Sequence, residues 1–232
     1  MEELAENIWL LSYPLKLLGI DFRRHVTVIR LSGGDLVIHS TGPFSANDVA
    51  EIREKGRPRW ILDAMLDHDT FAEAGSRAFP EAQFLAPEGF EKRVDFSCAP
   101  LMPPPPEWGQ ELRVLPIRGA PRFSEHVFLH QPSRTLIVAD LVFNLERPRS
   151  RWEQLVVRAG FGRRANPGFS RRFKLAIRDR TAFEESLQEV LSWDFDRVIV
   201  GHGELLRKNA KRRVEELFRQ EKLIANSLPR ES

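Results

Sequence analysis

Short apolar runs separated by turn residues dominate the first 140 residues of the chain. The segment "HVTVIRLSGGDLVIHS" contains two such runs joined by Ser32-Gly33-Gly34-Asp35. Because glycine tolerates the positive φ that a tight turn requires, this pattern predicts a β-hairpin. Further apolar runs predict strands at "NIWLL", "RWILDAML", "AQFLAP", "ELRVLPI", "HVFLH" and "RTLIVADLVF".

Helical patterns are inserted between these strands. Ser45-x-x-Asp48 has the form of a capping box and begins a predicted helix that ends at Gly56. The segment "FAEAGSRAFP" predicts a second helix, which ends before a proline. Strands with helices between them indicate sheet layers that are covered by helices.

The last third of the chain is mainly helical. Residues 150–192 have helical spacing, and Thr181-x-x-Glu184 predicts a second capping box. A final strand, "RVIV", leads through "GHGE" into a basic amphipathic helix that we expect to reach about Ala225. The first half is not a simple alternation of strand and helix, so a purely parallel sheet is not expected.

Composition is ordinary for a globular protein, with 232 residues of which 42% are hydrophobic, so we expect one domain over residues 1–232. The single cysteine, Cys98, excludes a disulfide framework and favours a reducing, cytoplasmic setting. The N-terminus opens with acidic residues and is interrupted by Pro14, unlike a secretory signal. No apolar run approaches the roughly 18 residues needed to cross a bilayer.

Positive charge is concentrated in one segment. Eleven Arg or Lys residues lie between Arg147 and Arg180 against two acidic residues, although the whole chain carries only +2. A solvated helical face explains such a segment. The alternative is an anionic partner: a phosphorylated small molecule, nucleic acid or a membrane surface.

Three clusters of polar residues follow apolar strands. They contain Asp63 with Asp67 and His68, then Asp140, then His202. The carboxyl ends of strands are where layered α/β proteins usually bind ligands. Neutral imidazole and carboxylate oxygen bind zinc, manganese or iron, so the constellation predicts a metal site.

The order of these motifs resembles the metallo-β-lactamase superfamily over nearly the whole chain. It includes an N-terminal strand, a hairpin ending "VIHSTG", the cluster in "DAMLDH", the acidic residue in "VADLVF" and the late "GHG". The resemblance implies an α+β fold, a four-layer αββα sandwich, with a helical insertion at about residues 145–195 over the edge of the site. It also resembles an uncharacterised bacterial branch whose metal motif is degraded.

The metal motif departs from that of the superfamily, whose signature is His-x-His-x-Asp-His. Asp63 and Met65 stand where the first two histidines would be, whereas Asp67 and His68 match the last two positions. A further histidine expected near residues 118–123 is missing. The resemblance therefore implies that the first metal site has lost its ligands, with Asp63 as a weaker replacement.

The second metal site keeps its set of ligands, which on this resemblance is Asp67, His68, Asp140 and His202. This set implies one divalent cation, zinc, manganese or iron, that lowers the pKa of bound water, with Asp67 and Asp140 as catalytic residues. The implied activity is hydrolysis of an ester, thioester or phosphoester in an anionic small molecule. The alternatives are a metal-free binding protein on the same scaffold and a nucleic-acid binder that uses the basic segment.

Each candidate ligand also has a purely structural interpretation. His202 could bond backbone groups in a turn, and Asp140 could cap a loop. Asp67 and His68 could belong to a helix N-terminus, where acidic residues complement the helix dipole.

The other histidines are expected to be structural. His25 and His39 lie on the predicted hairpin. His126 and His130 share one strand face with Phe128, which we expect to be partly exposed.

Overall fold

The computed structural model describes residues 1–145, 150–161 and 166–225. The strands in these ranges are β1 (Glu2–Ala5), β2 (Ile8–Tyr13), β3 (Lys16–Leu17), β4 (Ile20–Asp21), β5 (Arg24–Arg30), β6 (Asp35–His39), β7 (Arg57–Leu62), β8 (Gln83–Ala86), β9 (Ala99–Pro100), β10 (Leu112–Pro116), β11 (His126–His130), β12 (Thr135–Ile137) and β13 (Arg197–Ile199).

The α-helices in the same ranges are α1 (Ala46–Lys55), α2 (Ala72–Ala78), α3 (Arg151–Phe161), α4 (Arg171–Ala176), α5 (Arg180–Ser192) and α6 (Ala210–Gln220). Short 3₁₀ helices cover Leu66–Phe71, Phe90–Lys92 and Pro106–Trp108. Within the described ranges, every helix is too short or too polar to cross a membrane.

Two main sheets organise these strands. The first has the order β1-β2-β5-β6-β7-β8-β9, and the second has the order β10-β11-β12-β13. In the first sheet β6, β7, β8 and β9 run parallel, and in the second β12 and β13 run parallel. The predicted hairpin is confirmed as β5 and β6, which pair antiparallel. Strands β3 and β4 form a separate small hairpin.

Both faces of the first sheet are buried. Trp9 and Leu11 of β2 pack with Ile52 of α1 in a cluster on the outer face, where α2 also packs. Ile8 and Leu10 of the same strand belong to the core between the sheets. The alternation follows from the two-residue period of a strand, and it places one helical layer outside the first sheet.

The second sheet is covered by the C-terminal helices. Helix α5 packs on β10 and α6 packs on β13. Leu187 of α5 and Leu217 of α6 are buried in the same core as the inner face of the first sheet. The molecule is therefore an α+β sandwich with the layers helix, sheet, sheet, helix, as the resemblance implied. Helices α3, α4 and α5 all lie within the helical insertion predicted at about 145–195. Residues 146–149 and 162–165 of the basic segment lie outside the described residues.

The predicted start of α5 at a Thr181 cap is wrong. Asp179 is the N-cap, and its side chain accepts a hydrogen bond from the backbone N–H of Ala182 at 3.0 Å. The backbone N–H groups of Arg178 and Asp179 both donate to the carbonyl of Gly119. This contact holds the chain extended until Asp179, so the helix begins two residues earlier than the sequence pattern suggested.

The last helix is shorter than predicted at both ends, since it covers only Ala210–Gln220. After "GHGE" the chain first returns to the second sheet, where Val198 and Leu206 exchange two backbone hydrogen bonds of 2.9 and 3.0 Å. The helix can begin only after this bridge.

The partly exposed face predicted for β11 is also wrong. His126 and His130 are 7% and 1% exposed, because β11 lies between β10 and β12 and faces the first sheet. The ring of Phe128 lies 4.8 Å from that of His39 and 6.2 Å from that of Trp108. His39 is thus a core residue between the two sheets.

Burial of His39 predicts a pH-dependent stability. Burial, with His68 and Arg24 nearby, lowers the pKa of His39 to about 3, whereas an unfolded histidine titrates near pH 6.5. As pH falls between these values, the unfolded state binds a proton at His39 and the folded state does not, so the folded state loses stability. In His39→Gln this loss is absent. We expect the slope of unfolding free energy against pH to be smaller than in the unaltered protein by about 1.4 kcal/mol per pH unit between about pH 4 and 6. Urea denaturation measures this, and an unchanged pH slope would contradict it.

Candidate metal centre

His68 lies in the loop after β7, within the 3₁₀ helix Leu66–Phe71. Its side chain is buried, whereas those of its neighbours Asp67 and Asp69 are partly exposed. The loop thus presents the imidazole to the interior and the two carboxylates to the outer side.

Asp140 lies just after β12, in a loop that a buried carboxylate fixes. Glu125 accepts hydrogen bonds from the backbone N–H groups of Ala139, Asp140 and Leu141 at 2.9 to 3.1 Å. Burial and the charge of Asp140 raise the pKa of Glu125 to about 8, and the three N–H donors oppose that rise. Glu125 therefore sets the position of the Asp140 backbone.

His202 lies in the turn after β13, and the glycines around it allow this turn to approach the Asp140 loop. A Cβ on Gly201 would lie 2.5 Å from the carbonyl oxygen of Ala139. Gly203 has φ +91°, and a Cβ there would lie 2.3 Å from the carbonyl oxygen of Asn144. Only glycine fits at these contacts.

These three loops bring His68, Asp140 and His202 together. The Oδ1 atom of Asp140 lies 3.2 Å from Nε2 of His68 and 3.4 Å from Nε2 of His202. One nitrogen or oxygen of each residue lies within 4.8 Å of the others. Among the described residues this is the group of three or more His, Cys, Asp or Glu side chains with metal-binding spacing.

The tautomer of His202 is set by a backbone group. Its Nδ1 lies 2.6 Å from the carbonyl oxygen of Arg23. Because a carbonyl only accepts, Nδ1 carries a proton, so in the neutral tautomer Nε2 would present its lone pair to Asp140. Metal-binding histidines commonly have a carbonyl partner of this kind on their other ring nitrogen.

The electrostatics leave Asp140 ionised and His68 neutral at neutral pH. Burial would raise the pKa of Asp140, but His68 and His202 outweigh it and hold that pKa well below the usual range. Burial, followed by the nearby charge of Arg24, lowers the pKa of His68 to about 4. A carboxylate and a neutral imidazole are the forms that bind a cation.

Asp63 lies outside this group, in a buried ion pair with Arg24. Nη2 of Arg24 donates to Oδ1 of Asp63 at 3.0 Å and to the carbonyl of His68 at 3.1 Å. The hydroxyl of Thr41 donates to Oδ2 of Asp63 at 2.9 Å. Burial raises the pKa of Asp63 to about 7, and Arg24 opposes that rise. Both carboxylate oxygens thus have partners other than a metal.

Asp67 also lies outside the group. Its Oδ1 is 3.4 Å from Nη2 of Arg93, and its Oδ2 is 3.3 Å from Nη2 of Arg172. Of the five residues that the sequence nominated as ligands, the structure brings together three, and two have arginine partners instead.

Comparisons with known proteins bear on the scaffold. No family model and no curated protein matches the sequence. Among solved structures, a metallo-beta-lactamase from Pontibacter korlensis is 11% identical, with 94% of this chain and 97% of that chain covered at a TM-score of 0.61. The DIM-1 metallo-beta-lactamase is 16% identical, with 95% and 96% covered and a TM-score of 0.61. The chain has the metallo-β-lactamase fold.

The metallo-β-lactamase fold alone does not fix the reaction. A Nostoc protein named as diflavin flavoprotein A 5 is 13% identical over 95% of this chain and 96% of its own solved fragment, with a TM-score of 0.65. Identities this low show a shared fold alone. The residues of the site must therefore decide the chemistry.

Arg24 and Glu125 support the site but were not identified from the sequence. Arg24 begins the strand "RHVTVIR", and Glu125 precedes the strand "HVFLH". A charged residue at the end of a buried strand is the signal that each carries, since a buried charge needs a partner. The partners themselves, at Asp63 and at residues 139–141, are distant in sequence.

A cavity of about 630 Å³ opens onto the site, and Asp140 and His202 contribute to its wall. The wall is otherwise largely apolar, and it includes the β3–β4 hairpin and α3. A small molecule of drug-like size fits a cavity of this volume.

We expect the protein to lose much of its stability when the Arg24–Asp63 ion pair is broken. In Arg24→Met, Asp63 stays buried without its cation, so we expect the free energy of unfolding to fall by about 3 to 5 kcal/mol. Adding Asp63→Asn removes the charge and keeps an acceptor for Thr41, so the double variant should recover much of the loss. Urea denaturation of the two single variants and the double variant measures the coupling. Additive effects would show that the pair does not interact.

Proposed function

We propose that His68, Asp140 and His202 hold one divalent metal ion and that the protein is a metal-dependent hydrolase of carboxylic esters or thioesters. The observation that carries the proposal is the position of His202 Nε2, which the contact of Nδ1 with the Arg23 carbonyl holds 3.4 Å from the carboxylate oxygen of Asp140. With a neutral imidazole, these two electron-rich atoms need a cation between them.

The donor set suits a catalytic rather than a structural metal. Two imidazole nitrogens and one carboxylate oxygen are ligands for zinc, manganese or iron. Three protein ligands leave coordination positions open, as in catalytic sites, whereas structural zinc sites have four protein ligands. The cavity beside Asp140 and His202 gives a substrate access to those open positions.

One metal fits this chain better than two. Asp63 is neutralised by the buried guanidinium of Arg24, and Met65 is a buried core residue with 0% exposure. Arg24 also brings a fixed positive charge to this side of the site, which disfavours a second cation there.

The chain's own residues orient the site. A divalent ion bound there would supply Lewis acidity and lower the pKa of a water molecule. The carbonyl of Arg23 keeps the His202 tautomer, and Glu125 keeps the backbone of Asp140 in place. In the reaction, water adds to the acyl carbon, the C–O or C–S bond breaks, and a carboxylic acid and an alcohol or thiol leave.

Asp67 is left out of the proposed ligands, because both of its oxygens face arginines. We assign it the role of holding Arg172 at the wall of the cavity. In the described part of the basic segment, Lys174 likewise pairs with Glu221. Such pairing weakens the case for a nucleic-acid surface, and Arg172 is the cation that lines the cavity among the described residues.

A metal-free binding protein is the second candidate, because protonation of His202 would satisfy the same geometry. Metal analysis separates the two. We expect protein purified without a metal-binding tag and incubated with zinc, manganese or iron to retain about one ion per chain. We expect His202→Ala to weaken zinc binding by more than about 100-fold, since ligand loss exceeds the effect of losing a supporting group.

Asp67→Asn is the matched control, because it changes a neighbouring carboxylate outside the group. It should retain one metal and, with metal bound, hydrolysis of a p-nitrophenyl ester, which His202→Ala should lose. No bound metal in the unaltered protein would favour the binding protein. Loss of metal in Asp67→Asn would show that Asp67 is a metal ligand after all.

A further inference from the structure

The cavity at the metal centre has an unusually apolar wall. Leu15 and Leu17 of the β3–β4 region, Phe22, and Trp152 and Leu155 of α3 all contribute to it. Asp140 and His202 lie in the same wall. Whatever the site acts on therefore sits against an apolar surface.

Helix α3 turns one apolar stripe toward this cavity. Trp152, Leu155, Val156 and Ala159 all line it, and they follow the i, i+3, i+4, i+7 spacing of a single helix face. In a surface helix such a face normally packs on a core. Here it faces open space, although Val157 is buried with Phe22 in a separate small cluster.

The mouth of the cavity is also apolar, and a hydrogen bond joins its two sides. Leu17, Leu18, Trp152 and Leu155 line the cavity and are 54% to 62% exposed. Among the described residues, the other exposed large apolar side chains are Met102, at 38%, and Leu175, at 81%. The indole Nε1 of Trp152 donates to the carbonyl of Leu18 at 2.9 Å, which ties α3 to the hairpin. Grouped exposed apolar residues mark a binding surface.

Among the described residues of the wall, polar recognition is sparse. Ser170 and Arg172 are the polar ones apart from Asp140 and His202, and Arg172 is already paired with Asp67. A heavily charged ligand such as a phosphorylated sugar would find few partners among these residues.

We propose that the cavity binds an aliphatic acyl chain, so that the substrate is an ester or thioester of a medium- or long-chain fatty acid. The inference rests on the proposed function, since it places the acyl carbonyl at the end formed by Asp140 and His202. The alkyl chain then runs along the stripe of α3 toward Leu17 and Leu18. Hydrolysis would release the fatty acid and an alcohol or thiol.

Binding of fatty-acid anions tests the inference separately from catalysis. Isothermal titration calorimetry of the zinc-loaded full-length protein with the series from butanoate to dodecanoate measures the binding of hydrolysis products, so no turnover occurs. Each added methylene should tighten binding about fourfold until the cavity is filled. The kcat/KM of the metal-loaded unaltered protein for p-nitrophenyl esters should rise along the same series.

Leu155→Asp and Leu175→Asp form a matched pair, because both replace an exposed leucine on a helix and only Leu155 lines the cavity. Leu155→Asp should weaken decanoate binding at least about fivefold, while Leu175→Asp leaves it unchanged. Equal effects, or affinity independent of chain length, would overturn the acyl site. Chain-length-dependent binding without hydrolysis would instead refute the proposed function and leave the acyl site standing.

Discussion

The close approach of two loops at one edge of the second sheet is the constraint on which the site depends. Strands β12 and β13 are parallel neighbours, so their carboxyl ends meet at the same edge. The backbone N–H of Gly201 then donates to the carbonyl of Ala139 at 3.0 Å. A side chain at Gly201 would prevent this contact, and His202 would no longer reach Asp140. The glycines beside His202 are therefore required by the distance between the loops, whatever the site binds.

The Arg24–Asp63 pair explains how the chain departs from a two-metal arrangement. Removing two charges from water is costly, and their attraction repays that cost only when the remaining hydrogen bonds are made. Arg24 meets this condition with bonds to Asp63 and to the carbonyls of Thr41 and His68. On our proposal, the guanidinium of Arg24 supplies a fixed positive charge next to a site that binds a single metal ion. Burial, together with the positive charge of Arg24, lowers the pKa of His68 and keeps its imidazole neutral and able to bind a cation.

The sequence predicted the fold where local signals were strong. The Ser32–Asp35 turn and the Ser45 capping box both formed as expected, because a tight turn and a helix cap depend on residues within a few positions. The cap of α5 was misplaced, because Asp179 is fixed by a tertiary contact with Gly119 that no local pattern contains. Burial of both faces of β11 likewise depends on neighbouring strands.

The site was predictable in part for the same reason. His68, Asp140 and His202 follow apolar strands, and the rule that loops converge at strand ends sufficed to group them. Asp63 and Asp67 follow the same strand as His68, but their arginine partners lie at residues 24, 93 and 172. Glu125 acts on backbone groups about fifteen residues away. Such pairings become visible only when the layers are assembled.

X-ray absorption spectroscopy of the zinc-loaded full-length protein identifies the ligands of the bound ion. We expect zinc with two imidazole nitrogens at about 2.0 to 2.1 Å and a carboxylate oxygen at about 2.0 to 2.2 Å. The signal of one imidazole should disappear in His202→Ala. A shell of oxygen atoms alone, or a spectrum unchanged by that substitution, would contradict this set of ligands.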